Sequence, residues 1–125
     1  MTPDALSDQH LIAYMLDCIA RIREYTEGER TVFFGSRLVQ DATIHNLQTL
    51  AEAGQCLSDG LMARETAIDW RRMAGMRNIL VRAYLGCVDL ETVWATVEQN
   101  LPGLEQALQR QRHPFVQEAG RGATW

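Results

Sequence analysis

Residues 8–25, DQHLIAYMLDCIARIREY, show the pattern that decides the fold. Apolar side chains return at steps of three and four residues, which is the spacing of one face of an α-helix and not of a β-strand. The stripe consists of Leu11, Ile12, Met15, Leu16, Ile19 and Ile22. Ser7 is the expected N-cap of this helix, and Gly28 lies just beyond its end. No run of alternating apolar and polar residues predicts a strand, so we expect an all-α protein.

A second helix is predicted over residues 37–57, with Ser36 as its N-cap. Its broad inner face is expected to comprise Leu38, Ala42, Ile44, Leu47, Leu50, Ala51, Gly54 and Leu57. The segments 31–35 and 58–68, on either side of it, are interpreted as loops.

Three more helices follow from capping residues. Asp69 would begin a helix over residues 70–85 that ends at Gly86, and Asp89 would begin one over 90–100. Pro102 would begin a last helix to about residue 111, because proline suits the first helical turn. Short loops between such helices predict an up-and-down bundle of four to five helices.

The length of 125 residues fits one domain. We assign residues 1–112 to a single helical domain. We interpret residues 113–125, HPFVQEAGRGATW, as a C-terminal tail because they mix proline and glycine without periodicity. With 46% hydrophobic and 22% charged residues, the composition excludes a disordered chain.

The charge is unevenly distributed along the chain. Sixteen acidic residues outnumber twelve basic ones, all of them arginine, which gives a net charge of −4. This average argues against a protein that coats nucleic acid or an anionic membrane. The predicted helix over 70–85 is the exception, since it contains no acid and four arginines: Arg71, Arg72, Arg77 and Arg82. These could form ion pairs with acids of neighbouring helices, or they could bind an anion, because the planar guanidinium suits phosphate.

Cysteine and histidine usage argues against a metal site and a disulfide framework. Cys18, Cys56 and Cys87 are widely spaced, and we expect three small buried or half-buried thiols in a reducing cytoplasm. No histidine has the Glu-X-X-His spacing of a bundle metal site, since no glutamate lies three residues before His45. The chain start has no basic segment typical of a signal peptide, and no apolar run is long enough to span a bilayer.

Helix geometry separates the residues of the arginine-rich segment. At about 100° per residue, Arg77 and Tyr84 share a face, and so do Asn78 and Arg82. Arg77 and Arg82 diverge by roughly 140°, so one straight helix would not direct both at a single phosphate. Either the helix loosens near Gly86, or two copies of the chain complete the site together.

The segment 76–84, MRNILVRAY, followed by VDLETVW at 88–94, resembles the HepT-like family of the HEPN superfamily. These are small all-α toxins of prokaryotic toxin–antitoxin pairs, with a signature of Arg, four residues, His, one residue and Tyr. The similarity extends over roughly residues 11–108. It includes Asp41-Ala42, Asn46-Leu47, Ala51-Glu52-Ala53, Ile68-Asp69-Trp70 and Asn100-Leu101-Pro102.

The resemblance implies a metal-independent, cofactor-free endoribonuclease that acts as a homodimer on an RNA substrate. In that chemistry the ribose 2′-hydroxyl attacks the adjacent phosphate, an arginine stabilises the developing charge and a histidine moves protons. Arg77 matches the family's arginine and Asn78 its polar neighbour, with Arg71 and Arg72 as weaker candidates for substrate binding. Tyr84 matches the tyrosine that the cognate minimal nucleotidyltransferase, the antitoxin, modifies with AMP.

The sequence departs from the family pattern at Arg82, which stands where the family has histidine. The arginine side chain stays protonated near pH 7 and cannot act as a general base there. It can still bind phosphate, so we expect strongly reduced cleavage with nucleotide or RNA binding retained. The alternative hypothesis is a degenerate HEPN protein, a non-enzymatic helical module that binds a nucleotide or a protein.

Overall fold

The computed structural model describes residues 3–86 and 89–112. Every regular element in these residues is helical: α1 (Pro3–Thr26), α2 (Arg30–Gly35), α3 (Arg37–Gln55), α4 (Asp59–Arg64), α5 (Trp70–Tyr84), α6 (Leu90–Ala95) and α7 (Leu101–Gln111). A π-helical turn, Thr96–Asn100, joins α6 to α7. The predicted all-α bundle is confirmed. The proposed tail, residues 113–125, lies outside the described residues.

Two segments predicted as loops are short helices. Residues 31–35 fall in α2, and residues 59–64 of the predicted 58–68 loop form α4. Each helix has six residues, fewer than two turns, which is too short for an apolar period to be recognised in the sequence. The first of them ends against Ser36, and the second begins after Ser58, whose side chain accepts the N–H of Leu61.

The helix termini follow capping chemistry in most places. Ser36 accepts the N–H of Val39 at 3.2 Å, as predicted for the start of α3. The first helix, in contrast, begins at Pro3 and not at residue 8, so Ser7 lies inside it and is not its N-cap. Proline at the first turn explains the earlier start, because its missing N–H would have no partner there in any case.

The core forms where α1 packs on α3. The largest completely buried side chains of these two helices are Ile12, Met15, Ile19, Ile22, Leu47 and Leu50. Leu38, assigned by its spacing to the inner face of α3, is instead 78% exposed, because it lies in the first turn of α3, ahead of the buried stretch.

Phe33 of α2 extends the core toward the C-terminal helices. Its ring stacks on Trp94 of α6, with ring centroids 5.4 Å apart, and meets Phe34 edge-on. Aromatic pairs of this kind add to the stabilisation from buried area. The short helix α2 therefore ties α6 to the α1–α3 pair.

Candidate functional site

Helix α5 carries all the residues that the sequence proposes for a site. It begins after Asp69, whose side chain accepts the N–H of Arg72 at 3.0 Å, and it is α-helical through to Tyr84. Gly86 follows with a φ of 73°, a left-handed conformation that ends helices readily when glycine adopts it. Since the helix is regular between Arg77 and Arg82, it does not loosen there, and the two side chains diverge.

Helix α5 packs antiparallel to α3, at a point where α3 has a glycine. A Cβ atom added at Gly54 would lie 2.5 Å from the Sδ atom of Met73. The helices can approach this closely because Gly54 has no side chain. Among the described side chains of α5, Met73 and Leu80 are buried in the core.

This approach brings Arg77 of α5 to Glu52 of α3. Oε1 of Glu52 accepts a hydrogen bond from Arg77 Nε at 2.9 Å and lies 2.8 Å from Arg77 Nη2 in an ion-pair contact. The two side chains are 52% and 43% exposed, so the pair lies at the protein surface. For Arg77, the ion-pair interpretation of the arginine-rich segment is correct.

The other three arginines of α5 are exposed and differ from Arg77. Within residues 3–86 and 89–112, no carboxylate lies within ion-pairing distance of Arg71, Arg72 or Arg82. Asn78 is exposed as well. Asn78 and Arg82 are seven and eleven positions after Arg71, so the three lie within roughly 40° of one another on the helix surface. These candidates therefore fall into two groups. Arg71, Asn78 and Arg82 form an exposed stripe, whereas Arg77 is held by Glu52.

A cleft of about 400 Å³ opens beside α5, on a side that differs from those of the Arg71, Asn78 and Arg82 stripe and of Arg77. It faces the π-helical turn and the start of α7. Apolar side chains form much of its wall: Ile68, Met73, Met76, Leu101 and Leu104. Arg72 lines it together with polar residues that include Thr96 and Asn100. No sequence motif indicates this cleft, because its walls come from segments about twenty residues apart whose packing creates the space.

Several expected features fall outside the described residues or differ from expectation. The side chain of Tyr84 and all of Cys87 and His113 lie outside them. Cys18 is buried as expected, but Cys56 is exposed, because it is the C-cap residue after α3 and not part of its inner face.

Two general properties of the described residues complete the site description. They contain no cluster of three His, Cys, Asp or Glu side chains that could hold a metal ion. None of their helices combines the length and the apolar character that crossing a membrane requires.

Residues 15–111 match a protein-family model described as ribonuclease HepT-like. The chain belongs to this family. The resemblance inferred from the α5 signature is therefore confirmed over most of the chain, although the match does not test the roles of individual residues.

The names of curated relatives include a ribonuclease. A protein of Methanocaldococcus jannaschii named as a gamma-glutamylcyclotransferase and RNase is 34% identical over 76% of this chain, which spans 43% of that relative. A protein of Thermococcus cleftensis named as a ribonuclease HepT is 31% identical, with 79% of this chain and 93% of the relative covered. A second M. jannaschii protein named as an RNase is 21% identical over 83% of this chain and 98% of its own length. No solved structure matches this chain significantly.

Glu52 is the residue of the site to which the sequence analysis gives no role. The segment Ala51-Glu52-Ala53 contributes to the family resemblance, but nothing in its spacing connects it to Arg77. The two residues are separated by 25 positions and meet only because α3 packs on α5. One signal in the sequence could have indicated this contact. Glu52 is a carboxylate on the predicted second helix, and the next long predicted helix is rich in arginine and contains no acid.

Proposed function

We propose that this chain is the toxin of a type VII-like toxin–antitoxin system, built as a metal-independent endoribonuclease and located in the cytoplasm. The observation that carries the proposal is the position of Arg77. Its guanidinium is held by Glu52 at the surface of α5, with part of it still exposed. A fixed guanidinium that retains free N–H groups can stabilise the charge that develops on a phosphate during 2′-hydroxyl attack.

The proposed active form is a homodimer in which two α5 helices face each other across the RNA. Support comes from the divergence of Arg77 and Arg82 on a regular helix, since one copy of α5 cannot direct both at one phosphate. Two large apolar side chains near the end of α5, Val81 and Leu85, are 52% and 73% exposed and would be covered in a dimer.

The proposed antitoxin is a minimal nucleotidyltransferase that adds AMP to Tyr84. Tyr84 follows Arg77 by seven positions, a spacing that puts both on one face of α5, so the added phosphate would place negative charge and bulk beside Arg77. RNA would then be repelled from the site. Co-expression with a cognate minimal nucleotidyltransferase should yield Tyr84 bearing AMP, detectable by intact-mass spectrometry.

Arg82 is proposed to impair catalysis in this chain. It is exposed and no carboxylate of the described residues pairs with it, so it can contact a phosphate but cannot accept a proton near pH 7. General acid–base transfer contributes a factor of about 10²–10⁴ to such reactions. Binding of RNA would persist while turnover is low.

The decisive experiment compares this chain with its Arg82→His variant in cleavage of single-stranded RNA. We expect the variant to cleave about 10²–10⁴ times faster, because histidine restores proton transfer. Arg37→His is the matched control, since it makes the same change at an exposed arginine of α3, away from the candidate residues of α5. It should leave the rate unchanged.

An Arg82→His protein that leaves RNA intact and cells healthy would contradict the ribonuclease proposal. The chain would then be a non-enzymatic helical module. The cleft beside Arg72 favours a nucleotide as the ligand of such a module, since it combines apolar walls with a guanidinium that pairs with no carboxylate of the described residues.

A further inference from the structure

We propose that Glu52 is a positioning residue that fixes the guanidinium of Arg77 for contact with the reacting phosphate. The inference rests on the proposed ribonuclease function and assigns a role to a residue outside the α5 signature. Glu52 would not touch the RNA itself and would act through Arg77 alone.

The geometry of the pair determines which part of Arg77 is available. The hydrogen bond from Nε and the ion-pair contact with Nη2 both end on the same oxygen, Oε1 of Glu52. One edge of the planar guanidinium is therefore occupied. No hydrogen bond from Nη1 is found among the described residues, so its N–H groups are available to a phosphate oxygen, in an orientation that Glu52 sets.

The pair is poorly placed to serve stability. Both side chains are about half exposed, and exposed ion pairs contribute little to folding because water and salt screen them. Arg77 is also the one arginine of α5 with a carboxylate partner among the described residues. A pair that adds little stability but fixes one guanidinium fits a requirement for a preorganised charge in the transition state.

The negative charge of Glu52 opposes RNA binding, and this opposition makes the positioning role testable. The Glu52 carboxylate is a negative charge beside the place where a phosphate would bind, so it weakens RNA binding. If its purpose is to hold Arg77, then Glu52→Gln should leave binding equal or tighter and lower turnover. A residue that only stabilised the fold would not separate KM from kcat in this way.

The test measures kcat and KM for single-stranded RNA in the Arg82→His background. Glu52→Gln should lower kcat about 10- to 100-fold, the scale of a misplaced catalytic group, with KM unchanged or lower. Glu52→Asp keeps the charge on a shorter side chain and should retain more of kcat. Glu91→Gln is the matched control, because Glu91 forms an exposed ion pair with Arg30 on other helices. It should change neither constant beyond twofold.

A Glu52→Gln variant with kcat within twofold of its parent would overturn the inference, and so would a loss of kcat equal to that of Glu91→Gln.

The Nε–H resonance of Arg77 gives a second readout, measured by NMR in the unaltered chain. It should be protected from exchange, shift when an oligoribonucleotide is added, and lose protection in Glu52→Gln. If Arg82→His cleaves no RNA, the proposed function fails, and this resonance alone then decides whether Glu52 holds Arg77 for RNA. An unprotected resonance, or one that RNA does not shift, would contradict the role.

Discussion

At the scale of single residues, Glu65 links three helices of the described chain through hydrogen bonds. Its side chain is buried, and it accepts hydrogen bonds from Arg110 at 2.8 Å and from Gln111 at 3.0 Å. Its backbone oxygen accepts the indole N–H of Trp70, the first residue of α5. This one residue therefore joins the end of α4, the start of α5 and the end of α7.

The pKa of Glu65 predicts how stability depends on pH. The hydrogen bond from Arg110, followed by that from Gln111, lowers the pKa of Glu65 below its ordinary value of 4.5. A carboxyl whose pKa is lowered by folding stabilises the native state above its unfolded pKa, and this contribution is lost as the pH falls through the folded pKa. Glu65→Gln should thus reduce the free energy of unfolding by about 1–2 kcal/mol at pH 7. The difference from the unaltered chain should shrink below about pH 4.5.

Urea unfolding at pH 7 and at pH 3 measures this difference. Glu24→Gln is a suitable control, because it removes an exposed carboxylate for which no ion pair is found in the described residues. It should have little effect at either pH. A Glu65→Gln penalty that is the same at pH 7 and pH 3 would show that charge is not its origin.

The residue scale also shows where prediction from sequence stops. Arg77 could be singled out because the signature MRNILVRAY surrounds it within one helix. Glu52 could not be assigned to it, because their contact depends on the packing of two helices and on the missing side chain of Gly54. Local patterns identify the chemical groups, and tertiary packing decides which groups meet.

At the scale of the elements, long helices were predictable and short ones were not. The sequence correctly predicts α3 and α5 to within two residues, because each has a capping side chain and several turns of apolar spacing. It misses α2 and α4, and it does not anticipate the π-helical turn within the predicted 90–100 helix. A π turn depends on how the preceding and following helices pack, so no local spacing encodes it.

The contact between α3 and α5 gives the prediction at this scale. Gly54 and Gly75 are both helical, but a Cβ atom at Gly54 would meet Met73, whereas one at Gly75 has no neighbour within 4 Å. Gly75→Ala should stabilise the protein by about 0.5–1 kcal/mol, because alanine restricts the unfolded chain. Gly54→Ala should lack this net gain and destabilise the protein by about 1 kcal/mol, because the Met73 side chain must shift to admit the methyl group.

Thermal and urea unfolding of the two variants give a direct comparison, since each serves as the control for the other. The double variant Gly54→Ala/Met73→Ala should lose less stability than the sum of its single variants, because shortening Met73 makes room for the new methyl group. Equal effects of the two glycine substitutions would mean that the close approach of α3 and α5 does not limit packing.

At the scale of the whole molecule, the net charge of −4 does not show that the arginines fall into two groups. One group forms ion pairs between helices, and the other lies exposed on α5. Arg23 pairs with Glu105, Arg30 with Glu91 and Arg110 with Glu65, and each of these pairs joins two parts of the bundle. On the acid-free helix α5, Arg77 pairs with Glu52, whereas Arg71, Arg72 and Arg82 are exposed and pair with no carboxylate of the described residues. A net-acidic body with one positive helix would limit binding to unrelated nucleic acids while keeping attraction where the RNA is proposed to bind.

The proposed homodimer predicts a specific pattern of complementation. Arg77 and Arg82 point in different directions on α5, so a complete site would take its arginine from one chain and the residue at position 82 from the other. Two differently tagged chains, co-expressed and purified through both tags, test this arrangement. One is the unaltered chain, and the other is the double variant Arg77→Ala/Arg82→His.

Neither parent homodimer should cleave RNA efficiently, because one lacks a histidine at position 82 and the other lacks Arg77. The heterodimer contains one complete composite site and should show about half the activity of the Arg82→His homodimer, which has two. The reciprocal heterodimer pairs an Arg77→Ala chain with an Arg82→His chain and is the matched control. It places both catalytic groups on one chain and leaves no complete composite site, so it should be inactive. The opposite result, with activity in the reciprocal heterodimer and none in the first, would place the whole site within one chain. A monomer in light scattering at micromolar concentration would contradict the dimer itself.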